Sequence, residues 1–169
     1  ALPLPGIRVL VVDDNSPDGT AEIVRTMAAS EPRVGLLLRT KRRGRGAAGI
    51  DGFKAALDAD ADLVVEMDGD FSHQPRFIPA LVAATAGADA AIGSRFVRGG
   101  TDADRSVVRR SITWAVRRFV RRKFRTPIRD VSSGFRGFTR QALLDIDLDG
   151  LVSSGQSIVL EVLYILTLR

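Results

Sequence analysis

The stretch IRVLVVDDNSPDGT, residues 7–20, joins an apolar run to two aspartates and then to a series of turn formers. Ile7 to Val12 is mostly β-branched or aliphatic and reads as a buried strand. Asn15, Pro17 and Gly19 supply turn chemistry, and Asp18 or Ser16 is placed to cap a helix reaching about Ser30. A strand without a polar face, leading directly into a helix, is the opening unit of a parallel sheet covered on both sides.

The unit recurs along the chain. Val34 to Leu38 is a second strand, followed by a loop from Arg39 to Gly46 and a helix to about Asp58. Leu63 to Met67 is a third, ending at Asp68, Gly69 and Asp70. Pro75 then opens a helix toward Ala86, since proline suits a first helical turn. Ala88 to Gly93 is a fourth strand. This order predicts an α/β fold with a mainly parallel sheet and helices on both faces. In the second half, Gly99 and Gly100 form a loop, and a basic amphipathic helix runs from about Ser106 to Phe124. Val131 to Thr139 is a strand or extended loop, and Ser157 to Leu168 a final apolar helix, with Glu161 paired or near a site.

The 169 residues are 45% hydrophobic, with no cysteine and one histidine, His73. That length fits a single domain, residues 1–169, and the apolar content excludes a disordered chain. A disulfide framework, a thiol nucleophile and a His- or Cys-rich metal centre are excluded as well. The net charge of +5 is unevenly spread. Ten basic and no acidic residues fall between Arg105 and Arg129, leaving 15 basic against 20 acidic elsewhere. For that basic segment a solvated face, a nucleic-acid contact and an interfacial helix on anionic lipid are all open. Sparse aromatic interleaving, with only Trp114, Phe119 and Phe124, favours the lipid reading. Residues 1–7 lack the pattern of a signal peptide, and no run of 18 apolar residues spans a bilayer.

Ligands of open parallel sheets bind beyond the carboxyl ends of the strands. Asp13 and Asp14, Arg39, Asp68 to Asp70, and Ser94 with Arg95 all fall at such ends, and that convergence marks a site. Asp68 and Asp70, two apart on extended backbone, point the same way and offer hard oxygens to Mg²⁺ or Mn²⁺. A solvated loop with helix-capping aspartates is the competing reading of that spacing. Residues 44–49, GRGAAG, match G-x-G-x-x-G, a dinucleotide-binding pattern. Lys41, Arg42 and Arg43 separate its first glycine from the strand, which argues against that use. His73 reads as structural.

Four ordered segments carry a family resemblance: VVDDNSPDGT (11–20), MDGDFSH (67–73), GSRFVRGG (93–100) and DVSSGFR (130–136). Together they resemble the polyprenyl-phosphate (dolichyl-phosphate) mannosyltransferases, family 2 glycosyltransferases with a GT-A fold. The resemblance implies a GT-A, Rossmann-like sheet and transfer of mannose from GDP-mannose to a polyprenyl phosphate, with inversion. It implies that Asp13, Asp14 and Asp68 meet the donor nucleotide and that Asp68 and Asp70 hold Mg²⁺ or Mn²⁺. Arg95, Arg109 and Thr113 would hold the acceptor phosphate, with Asp70 and Arg95 carrying the catalytic roles. Ser72 stands where some relatives have a third metal ligand, a glutamine, and Arg105 where a tryptophan is usual. Relatives begin with a further strand ending in a P-x-Y-N-E-like motif and continue past the last helix with a basic loop. Against them the chain reads as one GT-A-like domain, shortened at both ends and lacking the first strand. The expected setting is a cytoplasmic membrane face with an anionic surface, peripheral association and no nucleic acid. A polyprenyl-phosphate glucosyltransferase using UDP-glucose, and a non-catalytic nucleotide- or membrane-binding module, are the alternatives.

Overall fold

The computed structural model describes residues 4–41, 44–97, 114, 118–119, 122–123, 128–153, 155 and 157–168. Strand β1 (Val9–Asp13) pairs in parallel with β2 (Val34–Leu38), Val9 opposite Val34 and Asp13 opposite Leu38. Helix α1 (Thr20–Ser30) connects them and α2 (Arg45–Asp58) follows. Strand β3 (Leu63–Glu66) leads into a short 3-10 turn (Pro75–Phe77), helix α3 (Ile78–Ala84), a second 3-10 turn (Thr85–Gly87) and strand β4 (Ala90–Ile92). Strand β5 (Arg136–Thr139), helix α4 (Arg140–Leu144) and helix α5 (Ser157–Thr167) complete the described elements.

Strand β5 lies between β3 and β4 and is antiparallel to both, so β3 and β4 run in the same direction. The late segment read as strand or extended loop is thus the centre of its sheet. Alternation along β5 puts Arg136 and Phe138 on one face and Phe135 and Gly137 on the other. Phe138 is fully buried and meets Phe53 of α2 edge to face at 5.3 Å, within a core completed by Leu143, Ile158, Val162 and Leu163. Phe135 packs with Ile78, Leu81 and Ala91 on the α3 side. Helices therefore cover both faces of this sheet. Helix α2 also packs against β1, spanning the two sheets.

Local capping departs from the expected pattern. The N-cap of α1 is Gly19, in the left-handed region at φ 85°, with no side-chain cap bond. Asp18 accepts from the Thr20 N–H and hydroxyl, at 3.0 and 2.7 Å, because it stands one residue too early to reach deeper into the first turn. Ser16 is drawn instead to Asp13. Pro75 starts a 3-10 turn, and the α-helix proper begins at Ile78, with a proline in its first turn. Of the basic helix, Trp114, Arg118, Phe119, Arg122 and Lys123 fall among the described residues; all five are helical and exposed.

Gly46 sits where α2 meets the start of α5. A Cβ there would collide with the Gly155 carbonyl oxygen and the Ile158 side chain. Gly46→Ala is expected to lower stability by roughly 1–3 kcal/mol, the usual cost of overpacking. Chemical denaturation of the two proteins measures this. An unchanged midpoint would show that the glycine does not serve helix packing.

Candidate functional site

The carboxyl end of β1 supplies two aspartates with different surroundings. Asp13 is buried and accepts from the Ser16 N–H at 3.1 Å and the Ser16 hydroxyl at 2.5 Å, which shapes the 13–16 turn. Asn15 follows in the left-handed region, which asparagine tolerates. Asp14 pairs with the buried Arg39 from the end of β2 and accepts the Gly44 N–H at 2.6 Å. Arg39 also donates through Nε to Asp51 of α2, at 2.7 Å. The charged end of β1 is thereby tied to the start of α2.

The next residue, Arg45, reaches toward β3. Its Nη2 lies 2.8 Å from Asp68 Oδ1, an ion pair by distance, but the atom is closed from solvent and has no aligned hydrogen bond. The glycines of the G-x-G-x-x-G stretch therefore have packing and turning roles. Gly44, at φ 125°, turns the chain into α2, and Gly46 admits α5.

Asp68 and Asp70 project from the loop beyond β3. The Asp68 N–H donates to His73 Nδ1 at 2.9 Å, so that nitrogen's lone pair is used and the ring proton lies on Nε2. The 3.8 Å approach of the same nitrogen to Asp68 Oδ2 is then not an ion pair. His73 stacks on Phe135 at 5.3 Å, so this histidine anchors the loop. Asp70 is exposed and accepts from the Ser72 hydroxyl at 2.6 Å and the Ser72 N–H at 3.0 Å. Those two bonds, the hydroxyl's foremost, hold the Asp70 carboxyl below the usual aspartate range. Between them Phe71 is left-handed at φ 63° and exposed, a costly conformation for a bulky side chain.

Residues 130–135 close the site from the other side. Asp130 is fully buried and receives Arg95 in a two-pronged contact, Nε and Nη2 each at 2.9 Å. Ser132 also accepts from Arg95 Nη2, at 3.0 Å. Burial alone would raise the Asp130 pKa; the hydrogen bonds and charge of Arg95 outweigh it and leave the carboxyl below its ordinary value. The Ser133 hydroxyl donates to the Gly93 carbonyl at 2.6 Å. A Cβ on Gly134 would collide with Arg45 Nη2 and stand 3.3 Å from Asp68 Oδ2. One short segment therefore touches both Arg95 and the Arg45–Asp68 pair.

Beneath it, Arg136 pairs with Glu66, its register partner across the β3–β5 ladder. Burial pushes the Arg136 guanidinium below the usual arginine range, Glu66 opposes that shift, and Arg45 adds to it. Contacts thus run from Asp14 through Gly44 and Arg45 to Asp68, then through residues 130–135 to Arg95. Among the described residues no three acidic or histidine side chains converge to hold a metal. Asp68 and Asp70 are two hard donors, a set that suits a small divalent cation completing its shell with water and substrate oxygens. Arg109 and Thr113 lie outside the described residues.

Sequence reasoning passed over Arg45, Glu66, Asp130 and Arg136 as members of this site. Glu66 had a signal, being the one charge inside an apolar strand. Arg45 and Arg136 had none, because their partners are far along the chain. Glu161, also near a turn, accepts the Val152 and Ser153 N–H groups at 2.9 and 2.7 Å.

The Asp130 contact has a pH signature. Its folded pKa is depressed, so its contribution to stability is complete above the unfolded value, roughly 3.9, and is lost as pH falls through the folded value. Asp130→Asn is expected to cost roughly 3–5 kcal/mol near neutral pH by removing the charge that the Arg95 fork grips. Melting temperatures taken from pH 7 down to pH 3 should show that gap narrow only below about pH 4. A gap independent of pH would assign the loss to shape rather than charge.

Residues 1–146 match the family described as glycosyl transferase family 2. An undecaprenyl-phosphate mannosyltransferase of Micrococcus luteus is 42% identical over 152 residues, which are 90% of this chain and 63% of that protein. The polyprenol monophosphomannose synthase of Mycolicibacterium smegmatis is 39% identical over 153 residues, 89% of this chain and 58% of the relative. A dolichol-phosphate mannosyltransferase of Pyrococcus furiosus is 36% identical over 159 residues, 92% and 43% respectively. The chain thus spans less than two thirds of the length of each. Glucosyl-3-phosphoglycerate synthase from Mycobacterium tuberculosis, solved with Mn²⁺, UDP-glucose and phosphoglyceric acid, superposes with a TM-score of 0.63 at 24% identity. That match covers 91% of this chain and 51% of the other, and it bears on the fold alone. The α/β GT-A architecture expected from the sequence is the one observed, and the chain belongs to glycosyl transferase family 2.

Proposed function

We propose that this chain carries the catalytic site of an inverting, metal-dependent transferase that moves mannose from GDP-mannose to a polyprenyl phosphate at the cytoplasmic membrane face. The observation that carries the reading is the single run of contacts joining Asp14, Asp68 and Arg95 along one edge, with residues 130–135 touching both the acidic and the basic end. A donor and an anionic acceptor need those opposite charges side by side. The names of the relatives supply the sugar and the acceptor class.

In this reading Asp14 meets the nucleotide and Asp68 and Asp70 hold Mg²⁺ or Mn²⁺. When bound, the cation would stabilise charge on the departing diphosphate. Arg95, set by Asp130 and Ser132, orients the acceptor phosphate, with Arg109 and Thr113 as further contacts. An oxygen of the lipid phosphate forms a new bond to the anomeric carbon from the face opposite GDP, whose bond to that carbon breaks. The phosphate is already an anion, so no side chain has to remove a proton, and the absence of a histidine base is no obstacle. Positioning and charge neutralisation do the catalysis. Among the described residues no helix is long and apolar enough to cross a membrane, and the basic segment with exposed Trp114 and Phe119 supports contact with an anionic surface.

Transfer of label from GDP-mannose into a short polyprenyl phosphate with Mg²⁺ tests this. Label is expected in the organic phase, abolished by EDTA and reduced at least 100-fold in Asp70→Ala. Label indifferent to both would remove the metal role. Preference for UDP-glucose would make the protein a glucosyltransferase, and no transfer with intact nucleotide binding would make it a binding module.

Arg95→Lys separates acceptor from donor. It keeps the charge but loses the fork that matches a phosphate and Asp130. The acceptor KM is expected to rise roughly tenfold with the GDP-mannose KM little changed. Equal effects on both would place Arg95 outside the acceptor site.

A further inference from the structure

Arg45 stands in an unusual position for a residue beside two prospective metal ligands. Its Nη2 is held 2.8 Å from Asp68 Oδ1, closed from solvent, yet without an aligned hydrogen bond. Some 30% of the side chain remains exposed, so solvent reaches the rest of it. The buried Arg136 guanidinium is a like charge close enough to act on it. Gly134, which has no side chain to spare, backs directly onto it.

The local charges restrict what can join them. Glu66, Asp68 and Asp70 set three negative charges against two positive ones on Arg45 and Arg136. A divalent cation turns that balance from one negative to one positive, and it competes with Arg45 for Asp68 Oδ1. An arriving diphosphate restores the balance and offers a displaced guanidinium the two-oxygen partner that it fits best. Arg45 begins α2 directly after Gly44, whose N–H is on Asp14, so the residue stands between the two acidic strand ends.

We propose that Arg45 is a built-in counter-cation for Asp68 that the metal must displace, and that it then pairs with the donor's diphosphate, so that metal and nucleotide bind together rather than singly. The inference rests on the reading of Asp68 and Asp70 as metal ligands.

Binding of Mn²⁺ alone, followed by electron paramagnetic resonance or calorimetry, tests it without turnover. Arg45→Leu is expected to bind Mn²⁺ alone roughly threefold or more tightly than wild type, since a competing ion pair is removed. GDP should strengthen Mn²⁺ binding in wild type, and this coupling should shrink in Arg45→Leu, as linkage requires. Arg45→Lys should restore much of it. Arg45→Gln provides a second neutral variant, and a thermal melt verifies the fold of each. Equal or weaker Mn²⁺ affinity in both neutral variants, with wild type binding normally, would overturn the proposal and leave the metal site standing. Failure of wild type to bind Mn²⁺ even with GDP overturns the metal reading itself, and this inference with it. Loss of the signal in Asp70→Ala ties the ion to this loop.

Discussion

The pairing of Glu66 with the buried Arg136 is the constraint on which the site depends. An arginine in the first position of a central strand, under α5 and beside an apolar core, is tolerable only with its charge answered. Glu66 answers it from the directly opposed position on β3. A one-residue slip of β5 would send Arg136 and Phe138 to the opposite face and leave Glu66 alone, so the pair and the aromatic contact together enforce one register. That register sets where residues 130–135 leave the sheet.

Those six residues are the joint of the site. Asp130 takes Arg95, Ser133 takes the Gly93 carbonyl, Gly134 backs onto Arg45 and Asp68, and Phe135 carries the His73 ring. Glycine is required at 93 and 134, since a Cβ at Gly93 would collide with the Phe135 ring and one at Gly134 with Arg45. The polar edge is thus assembled from segments distant in sequence by contacts that leave little slack. Buried acids and exposed ones divide the work. Asp13 and Asp130 are spent on shaping backbone and holding an arginine, whereas Asp70 faces solvent and Asp14 and Asp68 are only half-buried.

Much of this was legible before any coordinates. The β1, β2, β3 and β4 strands are apolar runs bounded by polar residues, although Val9 and Leu10 at the start of β1 are exposed rather than covered. Their polar ends had to gather on one edge, because successive strands joined by covering helices run the same way. The short β5 was ambiguous, since RGFT carries a charge and a glycine where a central strand usually has neither. Helix α4 went unread for a similar reason: five residues are too few to show a period. The glycine-rich stretch was legible as a turn into a helix, while its use, close packing by Gly46 and an ion pair by Arg45, was not.

The sequence by itself determined the alternation of strands and helices, the acidic and basic groups at the strand ends, and the segregation of positive charge after Arg105. These follow from local chemistry, in which hydrophobic period, turn residues and charge act on near neighbours. Only the tertiary structure decided that β5 enters antiparallel between β3 and β4, and that Arg45, Glu66, Asp130 and Arg136 belong to the site. Their partners lie between 23 and 70 residues away in the chain. An ion pair between such distant residues leaves no mark on the residues around it, since its energy exists only once the core has brought both charges out of water.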